Sequence, residues 1–306
     1  MRKRYVRRSE FRKTDVTDPT HPVGPTGMER CLGWMKRTPS SLRLQDPRKS
    51  DHIHWIPCNA PLRERMIPMP NTMYQVSTLQ ALMMGDYEGH ISIRALLKKG
   101  DTGLGTFDSL HGEMILLDGI CYRALEDGHV EVSQEEDRSP FAVASFLKED
   151  DAFPISAPDF SALQQALNAR RIRQGKNNIC LCRIDGDFEE IKARSEVPQT
   201  RPYRPLAVAM KTDQREFTFE HVSGSLVCVY FPPYMDKLNM AGWHIHFISK
   251  DRRHGGHVFG LSLTKGSARL ASLPSFELAI PQESDFQHLD PTVSKEDIEA
   301  VEGKKA

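Results

Sequence analysis

Four of the twelve histidines in this 306-residue chain fall between positions 244 and 257, in the run Gly242-Trp243-His244-Ile245-His246-Phe247-Ile248-Ser249-Lys250-Asp251-Arg252-Arg253-His254-Gly255-Gly256-His257-Val258. His244 and His246 are two apart in a β pattern, so both imidazoles leave the same face of a strand. Lys250 to Gly256 reads as a polar, glycine-containing turn, after which Val258-Phe259-Gly260-Leu261 returns as an antiparallel neighbour. That return places His257 near His246 across the hairpin. Three imidazoles gathered in this way are the ligand set of a catalytic zinc ion, with coordination positions left for water or substrate. Imidazole also suits other divalent transition metals, so the spacing points to a metal more firmly than to its identity. His254 falls in the turn, and His257 is preferred as the third ligand. His52-Ile53-His54 repeats the spacing without a third partner and is read as structural.

A hairpin of this kind needs a β-rich frame. Gly112 to Leu125 contains two apolar runs separated by Asp118-Gly119, a strong hairpin signal. A second turn at Glu126-Asp127-Gly128 leads into His129–Val132, so a meander is expected. Asn178 to Ile184 and Glu189 to Ala193 flank Asp185-Gly186, read as a second hairpin of the same type. Further strands are expected at 141–146, 215–222, 224–231, 243–249, 258–263 and 268–273. Helical spacing marks residues 74–83, 159–167 and a final acidic helix at 294–302, whose cap is Ser294. Strands with a few helices between them indicate an α+β fold of mixed, mostly antiparallel sheets rather than alternating βαβ units. The expected domains are a basic, irregular extension (1–68), an N-terminal α+β half (69–196) and a C-terminal β-rich half carrying the metal hairpin (197–306).

The chain has 41 Lys and Arg against 41 Asp and Glu, but the balance is uneven. Residues 1–70 hold 15 basic and 7 acidic groups, leaving 26 and 34 for the remainder, so a basic arm of +8 precedes an acidic body of −8. Zero net charge argues against a surface built as a whole for nucleic acid or an anionic membrane. No apolar stretch approaches the roughly 18 to 20 residues that span a bilayer. No apolar core follows the basic N-terminus as a secretory signal would require. Six cysteines (31, 58, 121, 180, 182, 228) without a CxxC motif are read as free buried thiols of a cytoplasmic protein.

The His-x-His pattern alone also suits a cupin, but that family places a Glu three to four residues after the second His, where this chain has Ser249, Lys250 and Asp251. Other segments point elsewhere. Gly105-Thr106-Phe107-Asp108-Ser109-Leu110-His111-Gly112-Glu113-Met114-Ile115 resembles the GTF–LDGEMI segment of acetolactate decarboxylases. Gly224-Ser225-Leu226, Pro232-Pro233-Tyr234-Met235 and Gly242 to Val258 are similar to that family's G-x-L, P-x-Y-M and HxHF…GGHV run. Tyr74–Thr78, Gly85–Gly89 and Arg183–Gly186 fit the same register, which covers about 70–303.

The resemblance implies an enzyme that converts 2-acetolactate to acetoin and CO2 with zinc on His244, His246 and His257. It also implies a homodimer of chains, each with two related α+β halves and the site between them. By the same resemblance Glu113 is the active-site carboxylate, Arg194 the active-site arginine, and Glu302 a C-terminal glutamate that reaches back to the metal. Thr106, at the strand end before the Gly-Glu pair, is a further candidate substrate contact through its backbone. His111 departs from the family's acidic or amide residue, and the basic extension lies outside the match.

The chemistry is coherent. Loss of CO2 from a 2-hydroxy-3-keto acid leaves an electron pair on the neighbouring ketone, and a metal stabilises that enediolate. An arginine orients the substrate oxygens by charge-assisted hydrogen bonds, and a carboxylic acid returns a proton to one face. Two other readings compete: a zinc-dependent ester hydrolase on the same fold, and a binding module built on the basic arm. No nucleic-acid or membrane partner is expected for the decarboxylase.

Overall fold

The computed structural model describes residues 71–282 and 285–289. The N-terminal extension, His52 and His54, and the expected helix at 294–302 with Glu302 lie outside the described residues. The described residues begin with β1 (Thr72–Val76), α1 (Leu79–Met83), β2 (Ile91–Ser92), α2 (Ile93–Leu96), β3 (Thr102–Thr106), β4 (Glu113–Leu117) and β5 (Ile120–Ala124). It continues through β6 (Val130–Val132), β7 (Arg138–Ser139), β8 (Ala142–Ser145), β9 (Asp151–Ala157), α3 (Phe160–Gln174) and β10 (Ile179–Glu196). The last elements are α4 (Leu206–Asp213), β11 (Gln214–Phe231), β12 (Gly242–Ser249), β13 (Gly255–Leu273) and β14 (Ser275–Ala279). Among the described residues no helix is long and apolar enough to cross a membrane.

Two sheets carry the fold. The first has seven strands in the order β14-β1-β8-β3-β4-β5-β6, antiparallel except where β14 runs parallel to β1. The second has the order β10-β11-β12-β13-β9, and an additional β10–β13 pairing closes the first four strands on themselves. The expected α+β class, with mixed and mostly antiparallel sheets, is what the chain adopts.

Strand packing explains the apolar patterning. In β10, Cys180, Cys182 and Ile184 face a core shared with α3, whereas Ile179 and Leu181 face the core between the sheets. Both faces are buried, which is why the segment reads as a nearly continuous apolar run. Cys121, Cys180, Cys182 and Cys228 are buried free thiols, and burial raises the pKa of each.

The Asp118-Gly119 turn forms as expected. Asp118 (φ 54°) and Gly119 (φ 74°) both adopt the left-handed conformation of a two-residue hairpin turn, joining β4 to β5. Asp185-Gly186 does not turn. It lies inside the 18-residue strand β10, with Gly186 directly opposite Gly224 of β11 and Gly266 of β13. With a strand paired on either side, continuing the ladder satisfies more backbone groups than a turn would. A register shift follows at Asp187/Phe188.

Neighbouring pairs also merge separately expected strands, 215–222 with 224–231 into β11 and 258–263 with 268–273 into β13. The helix expected over 74–83 is split: β1 ends at Val76, Ser77 takes φ 59°, and Thr78 caps α1 by accepting from the Ala81 N–H at 3.1 Å. The boundary at 196/197 is not where the chain changes sheets. β9 and β10 already belong to the second sheet, and β14 returns to the first.

α3 packs on β9 and β13 through Leu163 and Leu167, both fully buried. Leu163→Ala is expected to cost about 2–5 kcal/mol, whereas Ile172→Ala on the exposed side of the same helix is expected to change stability by about 0.5 kcal/mol or less. Denaturant titration of the two variants checks this.

Candidate metal centre

The site is written into one row of the second sheet. Arg194 of β10 pairs with His257 of β13, and His257 pairs with His246 of β12. Directly opposed residues of adjacent antiparallel strands project from the same face, so the guanidinium and two imidazoles emerge side by side. His244, two residues from His246, joins them. The return from the turn passes through Gly256 at φ 153°, where a Cβ would stand 2.8 Å from the Arg194 carbonyl oxygen. A side chain there would push β13 away from β10 and break the row.

All three histidines are buried. His244 Nε2 lies 3.0 Å from His246 Nε2 and 3.0 Å from His257 Nδ1. In a tetrahedral zinc site with Zn–N of about 2.0–2.1 Å, two ligand nitrogens stand about 3.3 Å apart, so the triad has nearly the spacing an ion requires. Burial, with the positive charge of Arg194 nearby, depresses all three pKa values, that of His244 to about 3. The rings are therefore neutral at ordinary pH, as metal ligands must be.

The tautomer of His246 follows from its partner. Its Nδ1 lies 2.8 Å from the Met114 carbonyl of β4, which can only accept, so Nδ1 carries the proton and Nε2 offers its lone pair to the triad. His257 meets two opposing demands. The Arg194 Nη2, which can only donate, stands 3.2 Å from Nε2, whereas ligation through Nδ1 requires the proton on Nε2. Binding an ion there would release the guanidinium from this contact.

The first sheet supplies the remaining groups. Glu113, buried at the start of β4, places Oε2 3.5 Å from His246 Nε2 and Oε1 4.0 Å from His257 Nδ1. Thr106 pairs with Glu113 across β3–β4. Its backbone is engaged within the sheet: the N–H donates to Phe141 O at 3.0 Å, and the carbonyl accepts from Ser139 Oγ at 2.7 Å. The Thr106 hydroxyl donates to Gly112 O at 2.9 Å and keeps acceptor capacity toward the cavity that Thr106 lines.

Glu113, Thr106, Arg194, His244 and His257 line one cavity of about 40 Å³, opposite an apolar wall that includes Leu79, Phe141 and Met210. Glu196, a buried acid two residues beyond Arg194 on the same strand face, also lines it. It was not anticipated, although its alternation with Arg194 in a strand was a usable signal. Two arginines near Arg194 in sequence are engaged elsewhere: Arg183 bonds to Asp118 and Asp185, and Arg201 pairs with Glu88. His254 is outside the triad, its ring 5.5 Å from that of His129 and 5.3 Å from that of Phe219.

Comparison with known proteins accords with this arrangement. The sequence profile of the alpha-acetolactate decarboxylase family matches residues 73–291. The chain is 37% identical over 234 residues to the alpha-acetolactate decarboxylase of Methanosarcina mazei, covering 76% of this chain and 80% of that protein. It is 35% identical over 237 residues to that of Bacillus subtilis strain 168, covering 76% and 91% respectively. The crystal structure of the B. subtilis 168 enzyme superposes with a TM-score of 0.73 at 34% identity, covering 76% of this chain and all of that one. The profile and these likenesses, each over 76% of the chain, together with the fold just described, make the chain a member of the alpha-acetolactate decarboxylase family of carboxy-lyases.

Proposed function

We propose that this chain decarboxylates 2-acetolactate to acetoin and CO2, with a zinc or other divalent ion held by His244, His246 and His257. The observation that carries this reading is the convergence of three neutral, buried imidazoles, two of which, His244 and His257, line one cavity together with Glu113, Glu196 and Arg194. When bound, the ion supplies Lewis-acid charge for the electron pair that departing CO2 leaves on the neighbouring ketone.

Arg194 takes the substrate oxygens by charge-assisted hydrogen bonds and fixes which bond is broken. Its guanidinium also offsets the −8 balance of residues 71–306 locally, where an anionic substrate must enter. As CO2 leaves, the C1–C2 bond breaks and its electrons form the C2=C3 bond of the enediolate. Glu113, acting in its acid form, then delivers a proton to C2 from one face, so a single acetoin enantiomer forms. Burial of Glu113 excludes bulk water, which would otherwise protonate either face. Thr106 contributes a hydroxyl acceptor at the cavity edge.

Chelation of the ion is expected to abolish acetoin formation, and added zinc to restore it in the native chain but not in His244→Ala/His246→Ala. Normal acetoin yield from that double variant stripped of metal would refute the reading. Ester turnover without acetoin would favour the hydrolase instead.

Glu113→Gln is expected to lower kcat by about 10²–10⁴-fold and to erode the chirality of the acetoin produced, followed by chiral gas chromatography. Arg194→Lys is expected to lower kcat/KM by about tenfold to a hundredfold, the value of one or two charged hydrogen bonds.

The metal-free protein carries its own pH signature. Its imidazoles are held neutral when folded but titrate near pH 6.5 when unfolded, so the unfolded chain binds more protons as pH falls. Stability is therefore expected to fall between pH 7 and 5, by about 2 kcal/mol per imidazole at pH 5. His244→Gln should show a shallower loss when thermal melts of the chelated proteins are compared.

A further inference from the structure

The groups assigned above come from the two sheets, and two short helices add apolar residues to the lining of the same cavity. Leu79 and Leu82 of α1 and Leu206 and Met210 of α4 line the same space as Glu113, Arg194 and His244. They belong to a hydrophobic cluster separate from the core between the sheets and from the cores on their outer faces. The wall facing the chemistry is thus a small unit of its own, able to vary without disturbing the sheets that hold the ligands.

Its two helices are held differently. The N-terminal amides of α1 bond to the loop that leads into β12: Leu79 N–H to Leu238 O at 2.9 Å and Gln80 N–H to Lys237 O at 3.1 Å. Gln75 and Asn239 brace the same loop, the Asn239 amide donating to Gln75 Oε1 at 2.8 Å. α1 is therefore tied to the histidine hairpin. α4 has no side-chain cap after Pro205 and is held at its other end, where the Asp213 carboxylate accepts from Gln199 and Arg204 and its carbonyl from the Val197 N–H at 2.8 Å. Its inward residues are the buried Leu206 and the half-buried Met210. Methionine is unbranched and flexible, so it fills a gap of variable shape.

A substrate held by its polar oxygens on the histidine and arginine groups leaves its two alkyl groups, the one on C2 and the one beyond the C3 ketone, to the apolar lining. The cavity is small, at about 40 Å³. We propose that α4, through Leu206 and Met210, is the specificity-determining element that limits the length of the alkyl group carried at C2 of a 2-hydroxy-3-oxo acid. The proposal rests on the decarboxylase reading given above.

The test compares kcat/KM for 2-hydroxy-2-methyl-3-oxobutanoate with that for its 2-ethyl homologue, in the zinc-loaded full chain. Met210→Ala and Leu206→Ala are each expected to raise the ethyl-to-methyl ratio by about tenfold, the lower end of what one methylene decides in an apolar pocket. Met210→Phe is expected to lower the ratio, and the volume-conserving Met210→Leu to leave it near that of the native chain. Ratios within about twofold of the native value in both alanine variants, with unchanged melting temperatures, would overturn the proposal while leaving the decarboxylase reading intact. Failure of the native chain to release CO2 from either substrate would overturn both.

Discussion

Everything in this molecule turns on placing three imidazoles and a guanidinium together out of water. Neutral imidazoles tolerate burial, but only if their ring N–H groups find acceptors and their lone pairs find something to bind. The Met114 carbonyl meets the first demand for His246, and convergence of the three ring nitrogens meets the second in a form suited to a cation. The convergence is exact in register. Arg194, His257 and His246 are consecutive members of one ladder row, and a one-residue slip in either pairing would turn a side chain to the opposite face.

That register depends on the closure of the second sheet. β10 pairs with both β11 and β13, and β12 bridges the same two strands. β10, β12 and β13, which carry Arg194 and the three histidines, are each thereby paired on both sides. The first sheet is docked on this unit through a core to which Ile115, Leu117, Val227, Val229 and Ile248 contribute. Docking brings the start of β4 over the triad, so Glu113 and the Met114 carbonyl arrive together from adjacent residues of a different sheet.

Much of the site was readable from residue types and spacing because it is local. His244 and His246 share a face by strand alternation, and His257 follows across a short turn, so bringing the three together needed only the rule of two. Asp118-Gly119 was legible for the same reason. Asp185-Gly186 carries the same dipeptide and was misread, since only the flanking strands β11 and β13 decide whether such a pair turns or continues. The fusions that make β11 and β13, the short strand β14 and the helix α4 were likewise invisible, because long-range pairing and packing created them. Glu196 was missed although its parity with Arg194 was available, since a lone acid in a strand is ordinarily solvated.

The sequence by itself determined the grouping of the three histidines, the α+β class and, through motifs spread over some 230 residues, the family, because short-range spacing and residue chemistry suffice for each. Only the tertiary structure decided that Arg194 of β10 stands beside His257 of β13. It alone brought Glu113 across from the other sheet, and it alone built the apolar wall from α1 and α4. Those relations join residues many tens of positions apart, and their register is fixed by the burial of whole strand faces, which no local pattern encodes.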